Sequence, residues 1–126
     1  MIGRLSIGIG CSSRACSDDV IDLIQTSVAE IPAGSILATL DRRATMGERV
    51  ASILGLRLVL FPASVLARIE GTTAQSCAAL SATGSANVAE ASALASLGPS
   101  AHLLVATRKG RFCTCAVAVS ITPERP

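Results

Sequence analysis

Apolar runs alternate with segments of helical periodicity along the first half of the chain. The runs predict strands at 5–10, 35–40 and 56–61. The periodic segments predict helices at 18–30 and 46–54, and a short helix that begins at Pro62 and Ser64 and ends at Ile69. Strands that alternate with helices usually pair in parallel through right-handed crossovers. This half of the chain therefore predicts a parallel sheet covered by helices.

The second half ends in a hairpin. Residues 87–97 have helical periodicity and residues 103–106 and 112–120 are strand-like, with the turn-rich segment 107–111 between the two strands. The last strand should therefore be antiparallel, in a mixed, mostly parallel sheet of five strands. Residues 71–84 have no clear period, and a helix over 74–82 and a loop both remain open.

Turn and cap signals predict how these elements begin and end. Gly8 and Gly10 should let the chain turn sharply after the first strand, with Ser17 as the N-cap of the first helix. Capping-box spacings occur at Thr45 with Glu48 and at Asn87 with Glu90. A loop between a strand and a helix is the usual ligand site of an open α/β sheet.

Composition narrows the classes of protein. The length of 126 residues fits one domain, which we place at residues 1–121 with a tail at 122–126. The two aromatic residues and the net charge of +2 argue against nucleic-acid binding, because single strands stack on aromatic rings and phosphates need many cations. No apolar run reaches the roughly 18 residues of a membrane span. We expect a cytoplasmic protein.

The cysteines and the single histidine give no metal or redox motif. The five cysteines do not have zinc-ribbon or C-x-x-C spacing. Cys113 and Cys115 should lie on one face of a strand as small buried side chains. His102, at a strand start, cannot form a histidine-rich site alone. We expect no metal and no cofactor.

The ends of the first three strands should meet at one edge of the sheet. This edge would gather residues 11–14, 41–43 and 61–64, which carry hydroxyls, backbone N–H groups and guanidiniums suited to an anion. A solvated turn for Arg42 and Arg43, and a turn or cap role for Asp41, remain open. A dinucleotide site is a weak alternative, since Ser13 occupies the third position of the glycine motif.

Several segments, taken in order, resemble one family. They are Gly8-Ile-Gly-Cys11, Leu37-Ala-Thr-Leu-Asp41-x-Arg43, Leu54-Gly-Leu56, Val88-Ala-Glu90-Ala-x-Ala-Leu94 and Thr114-Cys-Ala-Val-Ala118. The ordered set is similar to the CobE family and to the C-terminal domain of CbiG, both of cobalamin (vitamin B12) biosynthesis. Two departures are Ser12 and Ser13 in place of a basic pair, and Arg43 in place of a lysine.

The resemblance implies a three-layer α/β/α sandwich and a corrin-ring precursor, a precorrin or hydrogenobyrinic acid-like molecule, as the partner. Other enzymes of the pathway are further candidate partners. A CbiG-type hydrolase that opens a precorrin lactone is the alternative, with Asp41 as its catalytic residue. A small dinucleotide-binding module is the second alternative. The candidate ligand-binding residues are Gly8, Gly10, Cys11, Ser12, Ser13, Arg14, Asp41, Arg42, Arg43 and Ser64.

Overall fold

The structure, a computed structural model, describes residues 2–32, 34–69, 88–98 and 100–122. The strands are β1 (Ile2–Cys11), β2 (Ile36–Leu40), β3 (Arg57–Phe61), β4 (His102–Lys109) and β5 (Cys113–Thr122). The helices are α1 (Ser17–Ser27), α2 (Ala44–Leu54), α3 (Ala63–Leu66) and α4 (Val88–Leu97), and a 3-10 turn at Asp41–Arg43 joins β2 to α2. No described helix is long and apolar enough to cross a membrane.

The five strands form one sheet in the order β3-β2-β1-β5-β4. β1, β2 and β3 are parallel, whereas β5 is antiparallel to both of its neighbours, β1 and β4. The mixed, mostly parallel sheet with an antiparallel last strand is therefore confirmed. Because β5 runs opposite to both neighbours, β4 points in the same direction as β1.

One face of the sheet packs against α1 and α2. Ile7 and Ile9 of β1 are fully buried against Val20 and Ile24 of α1 and Val50 of α2. These branched aliphatic side chains form the larger core of a chain that has only two aromatic residues. Each fully buried side chain of this kind contributes about 1.5–3 kcal/mol to the free energy of folding.

The other face is built from small side chains and carries α3 and α4. Gly8 lies beneath α4, and an added Cβ would stand 1.8 Å from the carbonyl oxygen of Ala89. The Ser92 hydroxyl donates to the carbonyl of Ala38 in β2 at 3.2 Å. Because the strand and the helix both present small groups, α4 approaches β1 closely, and its residues 88–94 are all buried.

Gly8 and Gly10 do not form the predicted sharp turn. Both lie inside β1, which continues to Cys11, and neither has a positive φ. The strand continues through the glycines because β5 pairs with them, Gly8 with Ala116 and Gly10 with Thr114. The absence of a side chain at Gly8 lets α4 pack closely against β1.

The predicted caps of the first two helices are also wrong. The N-cap of α1 is Cys16, whose backbone N–H and thiol both donate to an oxygen of Asp19, at 3.2 and 3.3 Å. The N-cap of α2 is Arg43, because the 3-10 turn leads directly into that helix. The predicted stop at Gly55 is confirmed, with a left-handed φ of 71°.

The hairpin is longer than the sequence predicted. β4 extends to Lys109 and β5 begins at Cys113, so three residues make the turn. Phe112 has a φ of 62° there, which is unusual for a bulky residue. β5 also reaches Thr122, which was predicted to belong to the tail. Residues 71–84 lie outside the described residues.

The capping box predicted at Asn87 and Glu90 lies partly outside the described residues, because Asn87 is not described. Glu90 is fully buried in the first turn of α4. Its Oε2 accepts hydrogen bonds from the backbone N–H and the hydroxyl of Thr107, both at 2.7 Å. The carboxylate therefore fastens α4 to β4, and the amino end of the helix favours its negative charge.

Candidate functional site

The carboxyl ends of β1, β2, β3 and β4 meet at one edge of the sheet, together with the start of β5. We call this edge the rim. The parallel pairing of β2 with β1 and with β3 brings Cys11, Leu40 and Phe61 there, as the sequence predicted. The antiparallel pairing of β5 adds Lys109 and Cys113, which the sequence did not predict. His102 lies at the other end of β4, away from the rim.

A cleft of about 400 Å³ opens at the rim, and we call it the main cleft. Its walls come from β1, β2, the 3-10 turn, α4 and the β4–β5 hairpin. The lining residues are Gly10, Cys11, Ser12, Thr39, Leu40, Arg42, Arg43, Val88, Lys109, Gly110, Phe112, Cys113 and Thr114. The cleft thus combines an apolar side with a group of polar and cationic side chains.

The charge of this lining has one sign. Arg42, Arg43 and Lys109 contribute cations, and no aspartate or glutamate is among the described residues that line the cleft. The Nε of Arg43 is buried and has no hydrogen-bond partner among the described residues. A buried donor without a partner costs about 1–3 kcal/mol. An anion in the cleft would offset that cost.

The first loop is held against the hairpin. The backbone N–H of Ser12 donates to the carbonyl of Phe112 at 3.0 Å, and the N–H of Arg14 donates to the Ser12 hydroxyl at 3.2 Å. The guanidinium carbons of Arg14 and Arg111 lie 4.8 and 5.7 Å from the centroid of the Phe112 ring. These cation–π contacts and hydrogen bonds fix the position of the ring at the mouth of the cleft.

The thiols at the rim are protonated at neutral pH. Burial raises the pKa of Cys11, although the charge of Arg43 opposes this shift. Burial, followed by the neighbouring Cys11 thiol, raises the pKa of Cys113 to about 11. Cys113 and Cys115 are buried on one strand face, as predicted. Within the described part of the chain, no three histidine, cysteine, aspartate or glutamate side chains are arranged to hold a metal ion.

A second, smaller cleft of about 230 Å³ lies beside the main cleft, and we call it the small cleft. It shares Cys11, Ser12, Arg42 and Arg43 with the main cleft. Its other lining residues are Ser13, Ala15, Thr45, Met46 and Arg49. Arg42 and Arg43 therefore form part of a wall that faces both clefts.

Six of the ten candidate residues line one or both clefts: Gly10, Cys11, Ser12, Ser13, Arg42 and Arg43. The other four do not. Gly8 lies beneath α4, and Arg14 stacks on Phe112 outside both linings. Asp41 is exposed at the start of the 3-10 turn, and Ser64 lies in α3. The position of Gly8 also removes the glycine-turn argument for a dinucleotide site.

Sequence reasoning missed the hairpin side of the main cleft and Arg49 of the small cleft. Lys109, Gly110 and Phe112 carry only the signal of a hairpin and its loop. Their place at the rim depends on β5 pairing with β1, and a pairing between residues a hundred positions apart leaves no local signal. The hairpin signal predicts a loop near these residues, but only the placement of β5 beside β1 brings that loop to the rim.

Comparisons with known proteins agree on one family. The family described as Cobalamin synthesis G C-terminus matches residues 5–118. The crystal structure of CobE, a protein from the cobalamin (vitamin B12) biosynthetic pathway, is similar, with 28% identity and a TM-score of 0.75 over 98% of this chain and 95% of that one. The cobalamin biosynthesis protein chiG from Agrobacterium tumefaciens str. C58 shares the fold, with 23% identity and a TM-score of 0.64 over 92% and 98%. No curated protein sequence matches significantly.

Proposed function

This chain belongs to the Cobalamin synthesis G C-terminus family, and we propose that it binds a polycarboxylate corrin-ring precursor in the main cleft. The ligand class is a precorrin or a hydrogenobyrinic acid-like molecule. The protein would hold this intermediate and pass it between enzymes of cobalamin biosynthesis. The family and its pathway support this class of ligand, and the positive charge of the rim supports recognition through carboxylates.

One observation carries the proposal: Arg42, Arg43 and Lys109 line a cleft whose described lining has no acidic side chain. Guanidinium groups bind carboxylates through two parallel hydrogen bonds, which are about twice as strong as those between neutral groups. Corrin-ring precursors carry many carboxylates. The buried Nε of Arg43, which has no partner among the described residues, is a donor suited to one of them.

The apolar side of the main cleft suits the remainder of such a ligand. Leu40, Val88 and Phe112 line it, and the Phe112 side chain is 38% exposed. An exposed aromatic ring whose position is fixed can contact a flat conjugated macrocycle without losing further conformational freedom. Binding sites for small molecules typically combine apolar walls with a few fixed polar groups.

The lining residues support binding more than hydrolysis. No carboxylate or imidazole is among the described residues of the main cleft, and its two thiols have raised pKa values. A protonated thiol is a weak nucleophile. Asp41, the candidate acid or base of a hydrolase, does not line either cleft.

The test is a titration of the full chain with hydrogenobyrinic acid, followed by absorbance and by co-elution from a sizing column. Arg43→Ala should weaken binding about tenfold to a hundredfold, because a hydrogen bond between charged groups contributes roughly 1.5–3 kcal/mol. Arg43→Lys should recover only part of the affinity, since an ammonium group lacks the two-pronged geometry. A mass spectrum of the recovered ligand should be unchanged.

Arg57→Ala is the matched control. Arg57 is exposed and lies at the amino end of β3, opposite the rim, so its loss should leave the affinity unchanged. Equal affinities in the parent and Arg43→Ala, with the fold intact, would contradict the proposed site. In a separate incubation with a lactone-bearing precorrin, a product that gains the mass of water or loses a two-carbon fragment would instead support the hydrolase alternative.

A further inference from the structure

The small cleft adds a third guanidinium to the two that it shares with the main cleft. Arg49 of α2 lines it together with Arg42 and Arg43, and no described lining residue is acidic. Three like charges around about 230 Å³ repel one another, most strongly where water is displaced. Such an arrangement is favourable when an anion occupies the cleft.

The other lining groups complete a binding site for a small oxyanion. Ser12, Ser13 and Thr45 bring hydroxyl groups to the same cleft, and each hydroxyl can donate one hydrogen bond. The buried Nε of Arg43 lies in the wall shared by the two clefts and has no partner among the described residues. The small cleft thus contains donors of charged and neutral types.

The shared wall indicates how the two clefts are used. An anion in the main cleft and an anion in the small cleft would both lie next to Arg42 and Arg43, because these two residues line both clefts. The main cleft, at about 400 Å³, is near the lower end of the 300–1,000 Å³ typical of drug-sized ligands. A whole tetrapyrrole is larger than the main cleft. Its ring would therefore lie at the rim, while the carboxylate side chains of the ring enter the clefts.

We infer that the small cleft binds a second carboxylate of the same ligand, with Arg49 as the residue that recognises it. This inference rests on the proposed function and extends it. The ligand must carry two carboxylate side chains on neighbouring parts of its ring, one for each of the two adjoining clefts. Selectivity for an intermediate then depends on whether the carboxylate at the second position is free or modified.

Arg49→Ala, Arg49→Lys and the control Arg57→Ala test this assignment. Arg49 is exposed on α2, so its truncation should leave the fold intact. Arg49→Ala should weaken the binding of hydrogenobyrinic acid about tenfold, the effect of roughly 1.4 kcal/mol. Arg49→Lys should recover part of it. The parent and Arg49→Ala should bind the methyl-esterified ligand equally, because this ligand has no carboxylate for Arg49 to recognise.

The outcomes separate the inference from the proposed function. If Arg43→Ala weakens binding while Arg49→Ala does not, the second carboxylate site is overturned and the main cleft stands. If the parent does not bind hydrogenobyrinic acid, the proposed function itself is overturned. Inorganic phosphate provides the third arm: saturable phosphate binding that Arg49→Ala abolishes, with unchanged corrin affinity, would assign the cleft to a separate anion and overturn the inference.

Discussion

Replacing Gly8 by alanine should strongly destabilise the protein, because β1 and α4 are in close contact at this position. The added Cβ would lie 1.8 Å from the carbonyl oxygen of Ala89, and 2.8 Å from both its carbonyl carbon and the Ser92 hydroxyl. Two of these three atoms belong to the backbone of α4, so no rotation of a side chain can relieve the contact. The helix must move away from β1 by more than about 1 Å.

The size of the effect follows from what this movement disrupts. α4 buries Ala93 and Leu94 against the sheet, and the Ser92 hydroxyl bonds to β2. Overpacking in a core usually costs about 1–3 kcal/mol, and a backbone clash belongs at the upper end of that range. A loss of about 3 kcal/mol is a large part of the 5–15 kcal/mol that stabilises a typical domain.

The measurement is urea unfolding followed by circular dichroism. With a slope of about 1–3 kcal/mol per molar urea, Gly8→Ala should lower the midpoint by about 1–3 M. Gly47→Ala is the matched control, because the nearest atom to its new Cβ would be the tip of the flexible Leu58 side chain, at 2.9 Å. It also gains about 1 kcal/mol of helix propensity within α2. A Gly8→Ala midpoint equal to that of Gly47→Ala would refute the argument.

Three further predictions concern the rim and the first helix. At pH 8 a thiol reagent should modify the exposed Cys16 before Cys113 and Cys115, because burial raises the pKa of the latter two thiols to about 11 and 12. Mass spectrometry after proteolysis measures the order of modification. Equal rates at the three cysteines would contradict the prediction. Phe112→Gly should change the free energy of unfolding by less than about 1 kcal/mol, since relief of the positive φ offsets the lost ring contacts. The same variant should weaken binding severalfold in the hydrogenobyrinic acid titration. An unchanged affinity would exclude the ring from the site. Hydrogen bonds from the Cys16 backbone N–H and then from its thiol lower the pKa of Asp19. The ionised carboxylate therefore stabilises the folded protein above the ordinary pKa of about 3.9, and this stabilisation is lost as the pH falls through the lowered pKa. Stability measured against pH should lack this acid-dependent loss in Asp19→Asn, and identical pH profiles of the parent and the variant would contradict the argument.

Local patterns predicted the order and type of the helices and strands, because the buried face of each element determines which of its residues are apolar. Ile7 and Ile9 point to one face, and Cys113 and Cys115 are buried together on one face, as their spacing by two requires. The family resemblance was also confirmed. The boundaries were less accurate, since Cys16 and Arg43 occupy cap positions that their residue types do not favour.

The residues that sequence reasoning misplaced depend on long-range contacts. Gly8 was predicted to turn the chain, yet its role is set by Ala89, which is eighty-one positions away. Lys109 and Phe112 reach the rim only because β5 inserts between β1 and β4. Neither relation produces a periodicity or a cap signal within the segment concerned, so local patterns could not reveal it.

The direct junction between β2 and α2 holds the consecutive residues Arg42 and Arg43 where they line both clefts. The predicted capping box at Thr45 would have left Arg42 and Arg43 in a loop, where each guanidinium would sample many positions. Instead the 3-10 turn at Asp41–Arg43 joins β2 directly to α2, so the strand and the helix fix the backbone of both residues. A 3-10 helix has three residues per turn, which directs successive side chains about 120° apart. The backbone of this segment therefore loses its conformational entropy during folding. An anion that binds there forms hydrogen bonds with the arginines without a further loss of backbone entropy.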